Sequence, residues 1–255
     1  MFHITWITFL IVCPFQILAG MVDAIAGGGG LISLPAYMIA GLPAHAAVAT
    51  NKMSSTCGTA VSTFRFLKNG LINLKLAVPA CAATLAGSYL GAHLSMRINE
   101  RILEYIILAI LPVAAFFVLN NKLFNRKGAG KLEITRRTVT VSLIAAFIIG
   151  IYDGLYGPGT GTFLIIAFTV FARLTVETAN GQAKIINLTS NITALVIFLL
   201  NDQVVIILGL AAAACNIAGN YIGSGLVMTN GAKIVRPVII VVLVLLLIKI
   251  ISGMS

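Results

Sequence analysis

The chain has 255 residues, of which 59% are hydrophobic and 9% are charged, and its mean hydropathy is +1.04. A soluble domain carries about a quarter of its residues as charges, so a chain this apolar requires lipid as the solvent for most of its surface. The formal net charge of +10 is concentrated in one hydrophilic loop and at the ends of apolar segments. This is the topogenic pattern of a membrane protein, and it argues against nucleic-acid binding.

The first half of the chain contains five apolar segments. We predict them at about 4–25, 30–42, 46–66, 71–95 and 101–120. The second segment is shorter than the roughly 20 residues that a spanning helix needs, and it follows the glycine run Gly27–Gly30. Because glycine weakens helices, the backbone is expected to break there. The short segment then either crosses as a half-helix or turns back as a re-entrant hairpin.

A lysine interrupts the third apolar segment. Ser55 and Thr59 follow Lys52 at i+3 and i+7 and therefore share its helical face, while Asn51 and Thr56 add flanking polar groups. A charge at bilayer depth costs about 3 kcal/mol by insertion scales. Two interpretations stay open for this lysine: a functional charge, or a side chain that extends along the helix to the membrane surface.

A long basic loop at 121–137 separates the two halves of the chain. Because basic loops beside membrane segments usually face the cytoplasm, we predict that this loop is cytoplasmic. The predicted organisation is a first membrane repeat at 1–125, a basic linker at 126–137 and a second membrane repeat at 138–255.

The second half repeats the motifs of the first half in the same order. Its apolar segments are predicted at about 138–156, 160–173, 177–200, 203–227 and 233–252. The glycine run has its counterpart in Gly157–Gly161, and Lys52 has its counterpart in Lys184. The pair Gly87 and Gly91 in the first half corresponds to the pair Gly219 and Gly223 in the second half. Both pairs have the spacing that allows close helix packing. A constant order at an offset of about 130 residues indicates internal duplication.

The polar groups of both halves favour a negatively charged ligand. The helix after each glycine break offers unpaired N–H groups and a positive dipole end, whereas a cation site would need carboxylates. The predicted anion-binding residues are Gly28, Gly29, Gly30, Asn51, Lys52, Ser55, Thr56, Gly159, Thr160, Gln182, Lys184, Asn187 and Asn191. An alternative for the glycine runs is that they serve only close packing of helices.

Two aspartates lie inside the predicted spans, Asp23 and Asp153. They precede the two glycine runs at matching positions. Three roles are open for them: capping the helix breaks through backbone N–H groups, pairing with the lysines, or taking up a proton that couples transport to a gradient.

Charge counting distinguishes two topologies. Five crossings per half invert the second repeat relative to the first, and four leave the repeats parallel. With the long basic loop inside, an odd count also places the basic loops at 65–75 and 228–236 inside, whereas an even count places the loop at 228–236 outside. We therefore predict an inverted repeat with both termini outside. The loop at 95–101, with two arginines, fits this topology least well.

Several motifs resemble one known family. They are GMVDAIAGGGGLISLP at 20–35, its copy GIYDGLYGPGTGTFL at 150–164, Thr50-Asn51-Lys52, and the Gly87–Gly91 pattern. Together they resemble the TauE/SafE family of sulfite and organosulfur anion transporters, over nearly the whole chain. The resemblance implies transport of compounds such as sulfite, sulfoacetate, taurine or related small anions across a bacterial inner membrane. The two halves are not identical, because Gly28 and Gly30 correspond to Pro158 and Thr160.

These observations predict a secondary transporter that moves a small anion, sulfite or an organosulfonate, by alternating access between two repeats. A passive anion channel is the alternative, since it needs similar charges. An enzyme is not expected, because HExxH and a well-placed Ser/His pair are absent, and neither a cofactor nor a metal is expected. The expected partners are the substrate, the bilayer and protons as the candidate coupling ion. Cys57 lies near Lys52, so contact with a sulfur-containing ligand is an alternative to packing.

Overall fold

The computed structural model describes residues 5–97 and 134–253, and all regular secondary structure in these two ranges is helical. The helices are α1 (Trp6–Ala26), α2 (Gly30–Ile39), α3 (Ala44–Lys68), α4 (Leu74–Ser95), α5 (Arg136–Leu155), α6 (Thr160–Val170), α7 (Val176–Leu200), α8 (Ile206–Asn230) and α9 (Ala232–Gly253). Five of them, α1, α4, α5, α7 and α8, are long and apolar enough to cross a membrane. The prediction of an all-α polytopic membrane protein is confirmed.

The helix bounds follow the predicted segments closely. The second segment of each half forms a short helix, of 10 residues in α2 and 11 in α6. Helix α5 begins at Arg136, inside the predicted linker at 126–137, and the rest of that linker lies almost entirely outside the described residues. The predicted segment at 101–120 also lies outside them. The division into two repeats joined by a linker stays a prediction.

The lysine-bearing helices α3 and α7 lie inside the bundle. Helix α3 packs against α7 and α8, and α7 packs against α3 and α4. The polar residues that α3 buries include Thr50, Asn51, Lys52, Ser54 and Thr59. Because buried polar groups need partners inside the protein, this face of α3 points towards other helices and not towards lipid.

Helices from different halves approach each other at glycine residues. A Cβ atom added at Gly87 of α4 would collide with the backbone of Phe147 and Ile151 of α5, and one at Gly91 would collide with Ile151. On α8, Gly219 and Gly223 meet the backbone of α1 in the same way. The close packing expected from the glycine spacing is therefore present, and each partner helix belongs to the opposite half of the chain.

The order of contacts along two helices gives their relative direction. Thr84 and Ser88 of α4 meet Gly150 and Gly154 of α5 in that order, so α4 and α5 run parallel. Helices α4 and α7 are also parallel, because Asn73 just before α4 contacts Gln182, while Ser88 contacts Ser190. Together α4, α5 and α7 form a group of three parallel helices, called here the α4–α5–α7 group.

The same reasoning defines a second group. Thr50 of α3 contacts Val205 at the start of α8, and Arg65 contacts Ser224 further along α8, so α3 and α8 are parallel. Helices α1 and α8 are parallel as well, because Gln16 contacts Asn216 and Ile17 and Met21 meet Gly219 and Gly223. These helices form the α1–α3–α8 group. Each group therefore combines helices from both halves of the chain.

The chain reverses at the two glycine runs. Gly27 ends α1 with a positive φ of 74°, and a Cβ atom at Gly29 would lie 2.6 Å from the carbonyl oxygen of Ala19, so α2 returns beside α1. In the second half, Gly157 and Gly159 have φ values of 95° and 83°. Positive φ at these positions is readily adopted by glycine, which explains why the reversals lie there.

Candidate functional site

The two helix breaks meet each other at the centre of the described bundle. A Cβ atom at Gly27 would collide with the backbone of Gly161, and one at Gly30 would lie 3.2 Å from the Cα atom of Pro158. The hydroxyl of Thr162 donates a hydrogen bond of 2.6 Å to the carbonyl oxygen of Ala26. The amino-terminal ends of α2 and α6 are therefore held together, as expected for paired half-helices.

Two ion pairs lie next to these breaks, and each joins one half of the chain to the other. Lys52 Nζ on α3 lies 2.9 Å from Asp153 Oδ2 on α5. Lys184 Nζ on α7 lies 2.9 Å from Asp23 Oδ2 on α1. The two lysines are 2% and 0% exposed, so neither ammonium group reaches the membrane surface in this structure. Both pairs also link the α1–α3–α8 group to the α4–α5–α7 group.

Amide and hydroxyl groups surround the Lys52–Asp153 pair. Lys52 Nζ donates a 3.0 Å hydrogen bond to Asn191 Oδ1, and Asn191 Nδ2 donates in turn to Asn187 Oδ1 at 2.7 Å. Thr160 Oγ1, at the first residue of α6, donates to Asp153 Oδ1 at 2.7 Å. Gly157 lies close to the pair as well, since a Cβ atom there would be 3.0 Å from Lys52 Nζ.

The surroundings of the Lys184–Asp23 pair are different. Thr59 Oγ1 donates to Asp23 Oδ2 at 3.2 Å. Lys184 Nζ also donates to the backbone carbonyl oxygen of Asp23. Asn180 Nδ2 donates to the carbonyl oxygens of Ala24 and Ile25, the second at 2.8 Å. Asn180 therefore supplies a donor to two carbonyl groups in the last turn of α1, where carbonyls lack partners within the helix. Lys184 adds a second donor to the carbonyl of Asp23, which also accepts from the N–H of Gly27 at 2.7 Å.

The structure brings only part of the predicted residue set to the ion pairs. Lys52, Lys184, Asn187, Asn191 and Thr160 lie there. Both aspartates pair with lysines, and the helices after the breaks, α2 and α6, have no side-chain cap.

Other predicted residues have local roles. Gln182 donates to the carbonyl oxygen of Asn73 in the loop between α3 and α4, and Thr56 donates to the backbone of Lys52 on its own helix. Asn51 is buried, and Ser55 is partly exposed on α3.

The predicted glycines divide between packing and helix ends. Gly28 packs against Val242 of α9, and Gly29 packs against α1. Gly30 and Gly159 stand at the starts of α2 and α6. Metal binding has no support in residues 5–97 and 134–253, where no group of three His, Cys, Asp or Glu side chains lies together.

Sequence reasoning missed two buried donors that bridge the halves, Asn180 and Thr162. Asn180 is 0% exposed, and its position in an apolar segment one turn before Lys184 was a usable signal. It was overlooked because its counterpart in the first half is Val48, which carries no polar group. A further buried polar cluster, Gln16 with Asn216 and Asn220 between α1 and α8, was not predicted either.

The chain resembles known proteins over most of its length. A protein from a Sinorhizobium species named probable membrane transporter protein ORF9 is 33% identical over 252 residues, which cover 98% of this chain and 94% of that protein. The probable membrane transporter protein YfcA of Escherichia coli K12 is 34% identical over 228 residues, covering 88% of this chain and 82% of YfcA. No solved structure matches this chain.

The family comparison agrees with these relatives. The family model described as sulfite exporter TauE/SafE matches residues 12–250. A probable membrane transporter protein of Haemophilus influenzae is a further relative, 31% identical over 224 residues that cover 88% of this chain and 86% of that protein. The family and these names are those of transporters, in agreement with the prediction that the chain is not an enzyme. Because the match covers nearly all of the sequence, the chain belongs to the sulfite exporter TauE/SafE family.

Proposed function

We propose that this protein is a secondary transporter of a small anion, sulfite or an organosulfonate. The observation that carries the proposal is the pair of buried lysines beside two broken helices, each neutralised by a carboxylate from the other half of the chain. Isolated buried charge is costly, so a lysine at this depth needs an anion next to it. In this structure the aspartates meet this need, and a substrate oxyanion of similar size can take their place.

The sulfur chemistry of the substrate rests on the family description, sulfite exporter. Sulfite and sulfonate groups present negatively charged oxygen atoms, as an aspartate carboxylate does. The ammonium, amide and hydroxyl groups at the breaks are suitable donors for such oxygens.

Alternating access between the inverted repeats is supported by the directions of the packed helices. Helices α1 and α3 run parallel to α8, while α4 runs parallel to α5 and α7. The helix packing suggests how the motion is divided. Glycine contacts hold each group together, and buried ion pairs join the two groups, so the α1–α3–α8 group moves against the α4–α5–α7 group. Each moving body then contains helices from both repeats.

Protons are the proposed coupling ion. A proton on an aspartate neutralises the carboxylate and releases its lysine, so the lysine can then bind the substrate anion. The Asp153→Asn variant imitates the protonated state. Its transport should lose dependence on the proton gradient while anion binding remains, and unchanged gradient dependence would contradict the coupling.

The proposed location is the bacterial inner membrane, with the loop at 121–137 in the cytoplasm and both termini outside. Reporter fusions at the loop and at the carboxyl terminus test this orientation, because they should report opposite sides of the membrane. The same side for both fusions would require an even number of crossings in the second half.

A binding screen on purified protein tests the proposed function first. The panel consists of sulfite, thiosulfate, sulfate, sulfoacetate and taurine, with chloride as the control, scored by thermal stabilisation. A ligand at a hundred times its dissociation constant stabilises the fold by about 2.7 kcal/mol. The double variant Lys52→Met/Lys184→Met should lose this effect, whereas Lys75→Met removes an exposed lysine and should keep it. No stabilisation of the wild type by any anion would contradict the proposal.

Flux measurements in proteoliposomes separate a carrier from a channel. We expect uptake that saturates with anion concentration and is accelerated by the same anion on the opposite side. Flux that rises linearly with concentration and is not accelerated would favour the passive channel.

A further inference from the structure

We infer that the two half-sites have different roles: Lys52 binds the transported anion in exchange for Asp153, and Lys184 is a fixed cap on the end of α1. The inference rests on the proposed transport of an anion and names the residue that binds it. It also names the ligand class, a small oxyanion able to replace a single carboxylate.

The first step concerns what holds Lys184. Its ammonium group bonds both the carboxylate and the backbone carbonyl of Asp23. The backbone carbonyl cannot leave with a change of side-chain rotamer, because it belongs to the last turn of α1. A positive charge at the carboxyl end of a helix is favourable for the helix dipole. Asn180, one turn earlier on α7, bonds the next two carbonyl groups of the same turn. Two side chains of α7 that are one turn apart, Asn180 and Lys184, therefore bind the carboxyl-terminal end of α1.

The second step concerns what holds Lys52. Its ammonium group bonds Asn191 Oδ1 and lies against Asp153 Oδ2, and both of these are side-chain atoms. Val48 occupies the position that corresponds to Asn180, so α3 carries an apolar side chain one turn before Lys52, where α7 carries an amide. Rotation of Asp153 is sufficient to release Lys52 without breaking any backbone hydrogen bond of the helices. Lys52 is thus the lysine whose partner can be exchanged.

The third step concerns where an anion would lie. Lys52 Nζ and the Asp153 carboxylate lie beside Gly157, where a Cβ atom would be within 3.0 Å of each. These distances leave no free space between Gly157 and the ion pair, so a ligand atom can lie there only after the Asp153 carboxylate has rotated away. Thr160, which now donates to Asp153, stands at the first turn of α6, whose N–H groups favour an anion. An oxyanion in place of the carboxylate keeps a donor from Lys52 and gains the donor of Thr160.

The charge of this half-site favours a monoanion over a dianion. In the Asp153→Asn variant, or with a proton on Asp153, the one lysine charge balances one negative charge of the ligand. A dianion would leave a buried negative charge without a partner, which is strongly unfavourable. Methanesulfonate should therefore bind more tightly than sulfate, although both present sulfur-bound oxygens.

The test compares two matched variants, Asp153→Asn and Asp23→Asn. Each removes one carboxylate from one buried pair and leaves its lysine in place. In Asp153→Asn, Lys52 lacks its internal anion, so affinity for methanesulfonate should rise by about tenfold or more, as expected for a close charge pair. In Asp23→Asn, Lys184 is still held by the backbone carbonyl, so the change in affinity should be less than about threefold. Dissociation constants come from thermal stabilisation at increasing methanesulfonate, and Lys52→Met serves as the variant that should abolish binding.

The outcomes separate this inference from the proposed function. A larger gain in Asp23→Asn than in Asp153→Asn, or equal gains in both, would overturn the inference while leaving anion transport intact. Failure of the wild type and of both variants to respond to any anion would instead contradict the proposed function. If one variant does not fold alone, folding in the presence of methanesulfonate is the second readout. Rescue is expected for Asp153→Asn, and rescue of Asp23→Asn alone would also overturn the inference.

Discussion

The crosswise pairing of lysine and aspartate is open to a quantitative test. Lys52 pairs with Asp153, although Asp23 lies in the same half of the chain as Lys52 and is separated from it by fewer residues. A double-mutant cycle with Lys52→Met and Asp153→Asn measures the coupling of the cross-half pair. A second cycle with Lys52→Met and Asp23→Asn is the control for the pair within one half.

The expected magnitude follows from the burial of the pair. Both side chains are 3% exposed and their charged atoms are 2.9 Å apart. Removing one partner leaves an uncompensated buried charge, which costs about 3–5 kcal/mol. The double variant leaves no unpaired charge, so it should lose about as much as one single variant. The coupling free energy then equals the loss of one single variant, about 3–5 kcal/mol, which is at or above the upper end of usual couplings between contacting residues.

The control cycle should be close to additive. Lys52 bonds Asn191 and Asp153, while Asp23 bonds Thr59 and Lys184, so the two residues share no bonded partner in these contacts. Independent sites add within about 0.5 kcal/mol. The assay is the free energy of unfolding in mixed micelles, titrated with a denaturing detergent. Coupling between Lys52 and Asp23 that equals or exceeds the coupling between Lys52 and Asp153 would refute the crosswise arrangement.

Three further predictions concern packing and motion. Gly223→Ala should lower the free energy of unfolding by about 1–3 kcal/mol, because its Cβ atom would collide with the backbone of α1. Gly225→Ala on the same helix is the control, because a Cβ atom fits there and the variant should not be destabilised. Equal losses in the two variants would contradict the packing argument. Asn180→Leu should cost about 1–3 kcal/mol in the same assay, because it leaves buried carbonyls without a donor, and a neutral result would contradict its capping role. Cys13 and Cys215 are in contact between α1 and α8. A disulfide bond between them should leave anion flux unchanged if the two helices move as one body. Flux that is lost on oxidation and recovered on reduction would show that α1 and α8 move relative to each other.

Local physical chemistry explains why so much of the fold was predictable. Whether a segment is helical and membrane-embedded depends on its own apolar length, and the bounds of α4, α7 and α8 lie within a few residues of the predicted ones. The breaks at Gly27–Gly30 and Gly157–Gly161 were predictable because a run of glycine weakens a helix wherever it stands. Because the same motifs recur in both halves, the sequence also identifies Lys52 and Lys184 as corresponding buried charges.

The partners of those lysines depend on packing between helices that are distant along the chain. Two lysines and two aspartates in matching positions allow pairing within each half or across the halves, and the residue pattern is the same for both. The close contacts at glycine residues pack α1 against α8 and α4 against α5. In this packing each aspartate lies beside the lysine of the other half.

The class of protein, the segments and breaks, and the two lysines follow from the residues alone, because apolar length, glycine content and buried charge act locally. That Lys184 contacts the backbone at the end of α1, whereas Lys52 contacts side chains, depends on tertiary packing. The difference lies in Asn180 and in the backbone carbonyls of the last turn of α1. Those groups become partners only when α7 and α1, more than a hundred residues apart in the chain, pack together.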